Sequence, residues 1–400
     1  MQLMTNYYKS ILIFFILYPI ILVGQSIVMT GSDVNGEASD DYSGTSVSLN
    51  ADGDRMAIGA PYNGATKAGH TRVYALSSGS WTQLGSDING EASNDYSGWS
   101  VSMNADGDRV AIGAYYNDGN GTNAGHTRVY ALSSGSWTQL GSDVNGEASN
   151  DESGYSVSLN SDGDRMAIGA PYNDGTGSNA GHVRIYEYSG GSWSQLGSDI
   201  DGEASWDESG CAVSLNNAGD RVAIGAKYNG DGNAGHTRVY AYSDNAWTQL
   251  GSDIDGEADS DNSGWSVSLN DAGDRVAIGA PYNDDNGTNS GHARVYTYDA
   301  TAPATVAGLT ATSYNGGASL SWTANSESDI AKYYIYSSTD NSTYTKYSTE
   351  PTTNSITITD LTKGTSYYYK VSAVDNSNNE GIKSSATGLV YASRGVYVTE

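Results

Sequence analysis

Carboxylates recur in this chain at fixed positions that suit a hard cation. Asp33, Glu37 and Asp41 fall within nine residues, and the trio returns as Asp87, Glu91 and Asp95, then as Asp143, Glu147 and Asp151. It returns twice more, as Asp199, Glu203 and Asp207 and as Asp253, Glu257 and Asp261. Calcium takes several oxygens from one short stretch of chain, so these residues are candidate metal ligands and calcium is the one cofactor they suggest. A second recurrent set is aromatic: Tyr62, Tyr116, Tyr172, Tyr228 and Tyr282, each two residues after a Gly-Ala pair begins to give way to a loop. Tyrosine offers a flat apolar face and a polar tip, which is the chemistry of a glycan-binding or protein-binding surface. His70, His126, His182, His236 and His292 stand in Gly-His-x-Arg-(Val/Ile)-Tyr. One imidazole per unit predicts a structural hydrogen bond beside the arginine, because a metal ring would need several imidazoles to converge. Nothing reads as a nucleophile with its base and orienter, so no catalytic residue is assigned and a protein that is not an enzyme is expected.

These residues are held by a repeat. Gly31, Gly85, Gly141, Gly197 and Gly251 each open a Gly-Ser-Asp unit, at spacings of 54, 56, 56 and 54 residues. Units of that length, alike to within small insertions, stack on one another. The boundaries are about 31–84, 85–140, 141–196, 197–250 and 251–300.

Four strands per unit follow from alternation and turn chemistry. In the third unit they are expected at 156–160, 165–170, 182–188 and 192–196, with a tight Asp162-Gly163 turn joining the first two. Their faces are unequal. Val157, Leu159, Met166 and Ile168 are large, whereas Ser156, Ser158, Ala167 and Gly169 on the other face are small. A bulky face nests on a flat one, so the sheets should stack radially as a β-propeller. The fifth unit stops at Tyr298 without a fourth strand, while residues 26–30 align with 80–84. An all-β, five-bladed propeller closed by this N-terminal strand is the expectation, with Ile27 where other units place Trp81, Trp137, Trp193 and Trp247.

Lys9 precedes an apolar run from Ile11 to Val23, which reads as a signal peptide over 1–25 and leaves no membrane span in the mature chain. The lone cysteine, Cys211, reads as a core filler. Of 46 acidic residues only eight lie beyond residue 300, so the repeats carry nearly all of the net charge of −27. A field of that sign excludes nucleic acid as a partner and attracts cations.

From residue 301 the composition changes. Pro303, Leu309, Ser321-Trp322, 329–336, the stretch 361–367 and 371–375 resemble a fibronectin type III domain over 301–392, with 393–400 as a tail. In that resemblance Trp322 is the core tryptophan and Tyr367 the tyrosine corner. The strand pair Ser-Val-Ser-Leu-Asn and Arg-Met-Ala-Ile-Gly-Ala-Pro in turn resembles the FG-GAP repeats of integrin α-chain propellers. Gly59-Ala60-Pro61, Gly169-Ala170-Pro171 and Gly279-Ala280-Pro281 keep the second half, whereas Ser43, Ser97, Ser153, Ser209 and Ser263 replace its first phenylalanine. The resemblance implies calcium in the hairpin after the first strand. That hairpin is short here, and Asp52, Asp106 and Asp162 become Ala218 and Ala272 in the last two units, so an ordinary glycine turn is expected. The function that follows is an exported adhesion or recognition protein, using a multivalent acidic loop face to bind an extracellular protein or glycan. The alternatives are a lectin, and a glycoside-active propeller enzyme, which the near identity of the units disfavours.

Overall fold

The structure, a computed structural model, describes residues 29–391 except 231, 300, 315, 363, 378, 388 and 389. The signal segment, the strand residues 26–28 and the 393–400 tail lie outside the described residues. Every regular element described is a β-strand, and among the described residues no helix is long and apolar enough to cross a membrane.

The third unit shows how the sequence pattern folds. Its strands are Ser156–Leu159, Arg165–Ala170, His182–Ser189 and Ser192–Gln195, within a residue of expectation, and they pair antiparallel in chain order. One element was not foreseen. After an interruption at 196–199, the chain returns to the edge of the third strand as Ile200–Asp201, pairing Asp201 with His182. The segment that opens each sequence unit after the first therefore leads into the outer edge of the preceding sheet.

Stacking follows the predicted asymmetry. Ala111, Val129 and Val144 of the second sheet pack on Leu159, Met166, Ile168 and Tyr186 of the third. Where the sheets touch most closely there is no room for a side chain, since a Cβ on Gly113 would collide with the carbonyl of Gly154. Serine hydroxyls on the flat face accept from the next sheet's backbone, as Leu159 N to Ser102 Oγ at 2.9 Å and Leu215 N to Ser158 Oγ at 3.0 Å. Tryptophan pins the outer edges: Trp137 Nε1 donates to Leu84 O at 2.7 Å and Trp193 Nε1 to Leu140 O at 2.8 Å.

The expected ring is not closed among the described residues. The fifth sheet has three described strands, ending at His292–Thr297, with none of the described N-terminal residues paired to it. Both end faces are open: Val47 is 61% exposed and Val295 68%, whereas Val129, the counterpart of Val295, is 1% exposed. The N-terminal segment nonetheless occupies, against the first sheet, the place of a preceding outer edge. Trp81 Nε1 donates to Thr30 O at 3.0 Å and Arg72 Nη2 to Asn35 O at 2.7 Å, as Trp137 does to Leu84 and Arg128 to Asn89 at 2.8 Å. Thr30 and Asn35 lie where a preceding sheet's outer edge would stand, and no strand of the fifth sheet pairs with them.

The C-terminal domain is a sandwich of a three-stranded and a four-stranded sheet around Leu320, Trp322, Ile335, Tyr369 and Val371. Tyr367 Oη accepts from Thr362 N at 3.2 Å, the expected corner.

Candidate functional site on the loop face

The segment before each first strand, the loop after Gly-Ala and the start of each third strand meet at one end of the sheets. The carboxylate trio divides there. Asp41, Asp95, Asp151, Asp207 and Asp261 turn inward and are buried. Asp151 Oδ2 accepts from Ala148 N at 2.9 Å and from Asn173 Nδ2 at 3.1 Å, and Asp95 repeats this with Ala92 and Asn117. They brace the two loops against each other, because a buried carboxylate needs donors. Within the expected trio of Asp33, Glu37 and Asp41, the third member is thus engaged by protein donors through Oδ2.

Glutamate instead meets histidine and the aspartate of the sheet's outer edge. Glu37, His70 and Asp87 converge, as do Glu91, His126 and Asp143; Glu147, His182 and Asp199; and Glu203, His236 and Asp253, with ligand atoms mutually within 4.8 Å. In the second sheet His126 Nδ1 lies 3.9 Å from both Glu91 Oε2 and Asp143 Oδ2. The remaining oxygens are held by protein: Glu91 Oε1 lies 3.1 Å from Arg128 Nη1, and Asp143 Oδ1 accepts from Gln139 Nε2 at 2.6 Å. In the fifth sheet, which lacks an outer edge, Asp285 stands in with Glu257 and His292. Asp33 has no such histidine because its edge precedes the first sheet. The sequence carried a signal for this grouping that the reading above passed over, the constant 17 residues from His70 to Asp87, His126 to Asp143, His182 to Asp199 and His236 to Asp253.

The predicted structural hydrogen bond of the histidines is also corrected. Neither ring nitrogen of His126 or His236 has a hydrogen-bond partner, although both residues are only 1% exposed. Burial, with the Arg128 guanidinium beside it, holds the His126 pKa down at about 4, and His182 beside Arg184 is likewise held at about 4. Both imidazoles are neutral at physiological pH.

Nearer the first strands, the tyrosine ring is larger than expected. Tyr62 contacts Tyr42 and Tyr96, with centroids 4.9 Å apart in each pair, and Tyr96 contacts Tyr116 at 5.4 Å. Tyr115, 4.1 Å from Tyr116 and 5.8 Å from Tyr155, carries the path on, and Tyr155 continues it to Tyr172 at 6.4 Å. In the fourth sheet Lys227 replaces proline and sits over the rings of Tyr155, Tyr228 and Trp265, and Trp265 meets Tyr282 at 5.8 Å. Tyr62, Tyr116 and Tyr172 thus lie on one aromatic path, which Lys227 joins to Tyr228 and, through Trp265, to Tyr282; Tyr42, Tyr96, Trp99, Tyr115, Tyr155 and Trp265 are further members not expected from the sequence. These added positions are where the units differ: Tyr42 and Tyr96 become Glu152, Glu208 and Asn262. Lys227 Nζ lies 2.8 Å from Glu208 Oε2, both buried. Burial and the Glu208 charge raise the Glu152 pKa to about 7, against the opposing pull of Lys227. Cys211 is buried, as expected of a filler, and burial pushes its thiol up to about 11.

Residues 89–130, 144–186 and 253–296 match the FG-GAP repeat, and residues 301–387 match the fibronectin type III domain. The chain is an FG-GAP repeat region joined to a C-terminal fibronectin type III domain. No curated protein matches it. Among solved structures, a Fn3-like protein from Clostridium thermocellum is 34% identical over 22% of this chain and 91% of that one, with a TM-score of 0.20. A beta-1,2-glucanase from Parabacteroides distasonis is 29% identical over 27% of this chain and 17% of its own, also at 0.20. Likenesses at these scores carry no functional argument, so the loop face of the FG-GAP region is read from its own residues.

Proposed function

We propose that this chain is an exported, non-enzymatic adhesion or recognition protein whose FG-GAP loop face binds a glycan or protein outside the cell. One observation carries the reading: consecutive sheets bring Tyr62, Tyr96, Tyr116, Tyr115, Tyr155 and Tyr172 into a single aromatic path on the face that also bears the acidic clusters. Aromatic faces stack on sugar rings, and carboxylates accept from sugar hydroxyls or pair with a partner's cations. Near-equivalent loops on successive sheets allow several weak contacts at once, which typically gains about 10² to 10⁴ in avidity. The fibronectin type III domain then serves as a spacer or second adhesive module.

A second reading, glycoside hydrolysis, draws on Glu152, whose pKa is raised to about 7, as a proton donor beside Glu208. Glu208 is paired with Lys227, which favours binding over a free second carboxylate. Screening the mature chain against immobilised glycans and extracellular proteins tests both. Retention that Tyr96→Ala or Tyr155→Ala weakens supports recognition by the aromatic path. Turnover of a glycoside abolished by Glu152→Gln would replace it with the enzyme reading, and retention unaffected by either tyrosine change would move the binding surface elsewhere.

A further inference from the structure

The Glu, His and Asp clusters are built in a way that bracing does not explain. In the second sheet one oxygen of each carboxylate is occupied, Glu91 Oε1 by Arg128 and Asp143 Oδ1 by Gln139, and the other oxygen is turned to His126 Nδ1. Those two gaps of 3.9 Å are too long for hydrogen bonds. The imidazole is buried with both nitrogens unpartnered, and a buried polar group is costly unless something satisfies it. The third and fourth sheets repeat the pattern: His182 Nδ1 lies 3.9 Å from Glu147 and 3.7 Å from Asp199, and His236 Nδ1 lies 3.8 Å from Glu203 and 3.9 Å from Asp253. His236 is again buried and unpartnered.

We propose that each of these clusters binds a divalent first-row transition-metal ion, such as zinc, through one imidazole nitrogen and one oxygen from each carboxylate. A mixed nitrogen and oxygen set suits such ions, whereas calcium prefers oxygen alone. Three protein ligands leave a position open to solvent, and the partly exposed Glu91 and Asp143 side chains put that position on the surface. Arg128 and Gln139 hold the outer oxygens and so orient the ligands. The site is independent of whichever macromolecule the loop face recognises.

The test is a zinc chloride titration of the full mature chain after chelator treatment, with bound metal counted by equilibrium dialysis and calcium chloride at matched ionic strength as the comparison. Four equivalents are expected from the four clusters built on an outer-edge aspartate, with a fifth, weaker one from the more exposed Glu257, Asp285 and His292, and with calcium failing to compete. Asp143→Asn, at a partly exposed position, should weaken one equivalent by at least about tenfold, and His126→Ala should remove it. Where His126→Ala does not fold, Asp143→Asn and Asp253→Asn together should affect two equivalents. A stoichiometry unchanged in these variants, or calcium competing equally, overturns the proposal and leaves water or loosely held counterions in the gap.

Discussion

Lys227 and Glu208 form a buried ion pair, 2.8 Å between Nζ and Oε2; other repeats carry proline or tyrosine in place of the lysine, and tyrosine, glutamate or asparagine in place of the glutamate. Burial works against the ammonium, and the Glu208 carboxylate outweighs it and keeps the lysine pKa above its usual value. Lys227→Met should cost about 3–5 kcal/mol, because it leaves a carboxylate buried without its partner. Adding Glu208→Gln should restore much of that loss. Urea unfolding of the single and double variants measures the coupling, and equal stability of all three would show the pair to be incidental.

Glu152 gives the fold a pH dependence. Burial favours its neutral form, so the native side chain holds its proton between its ordinary value of 4.5 and about 7, where the unfolded chain has lost it. Stability contributed by this group therefore falls as pH rises through that window and is lost above about 7. Thermal unfolding from pH 4.5 to 8 should show a shallower decline in Glu152→Gln than in the natural chain.

Gly113→Ala should be strongly destabilising, on the order of 3 kcal/mol, because its Cβ would strike the carbonyl of Gly154 in the next sheet. Gly279 is the same position in the fifth sheet and meets only its own Ser266. Gly279→Ala should be mild by comparison in chemical denaturation. An equal loss at both would mean that a sheet covers the open end in solution.

The same open end can be probed with charge. Val129→Asp buries an unpaired carboxylate and should prevent stable folding, whereas Val295→Asp, at an exposed counterpart, should cost no more than about 0.5 kcal/mol. Deletion of residues 26–30 bears on the other end, where it would remove the carbonyl that Trp81 Nε1 reaches at Thr30. An earlier melt by a few degrees is expected from loss of that bond and its packing.

Local pattern was enough for the strands and their stacking. Alternation of Val157, Leu159, Met166 and Ile168 with Ser156, Ser158, Ala167 and Gly169 declares which face is bulky and which flat, because side chains in a strand alternate strictly. Trp322 and Tyr367 likewise marked the C-terminal sandwich through local motif. Chemistry was less legible, because it depends on which atoms of distant segments meet. Asp41 and Glu37 are four residues apart, yet one is drawn inward by Asn63 and the other outward toward His70. Asp87 joins them only because the chain interrupts its outer strand and returns to pair Asn89 with His70. The clustering of the variable positions around Glu152, Glu208 and Lys227 was invisible for the same reason, since it needs the third and fourth sheets side by side. Repetition fixed the sheet that each unit forms, and only the packing of sheet on sheet decided which side chains share a site and how far the array closes.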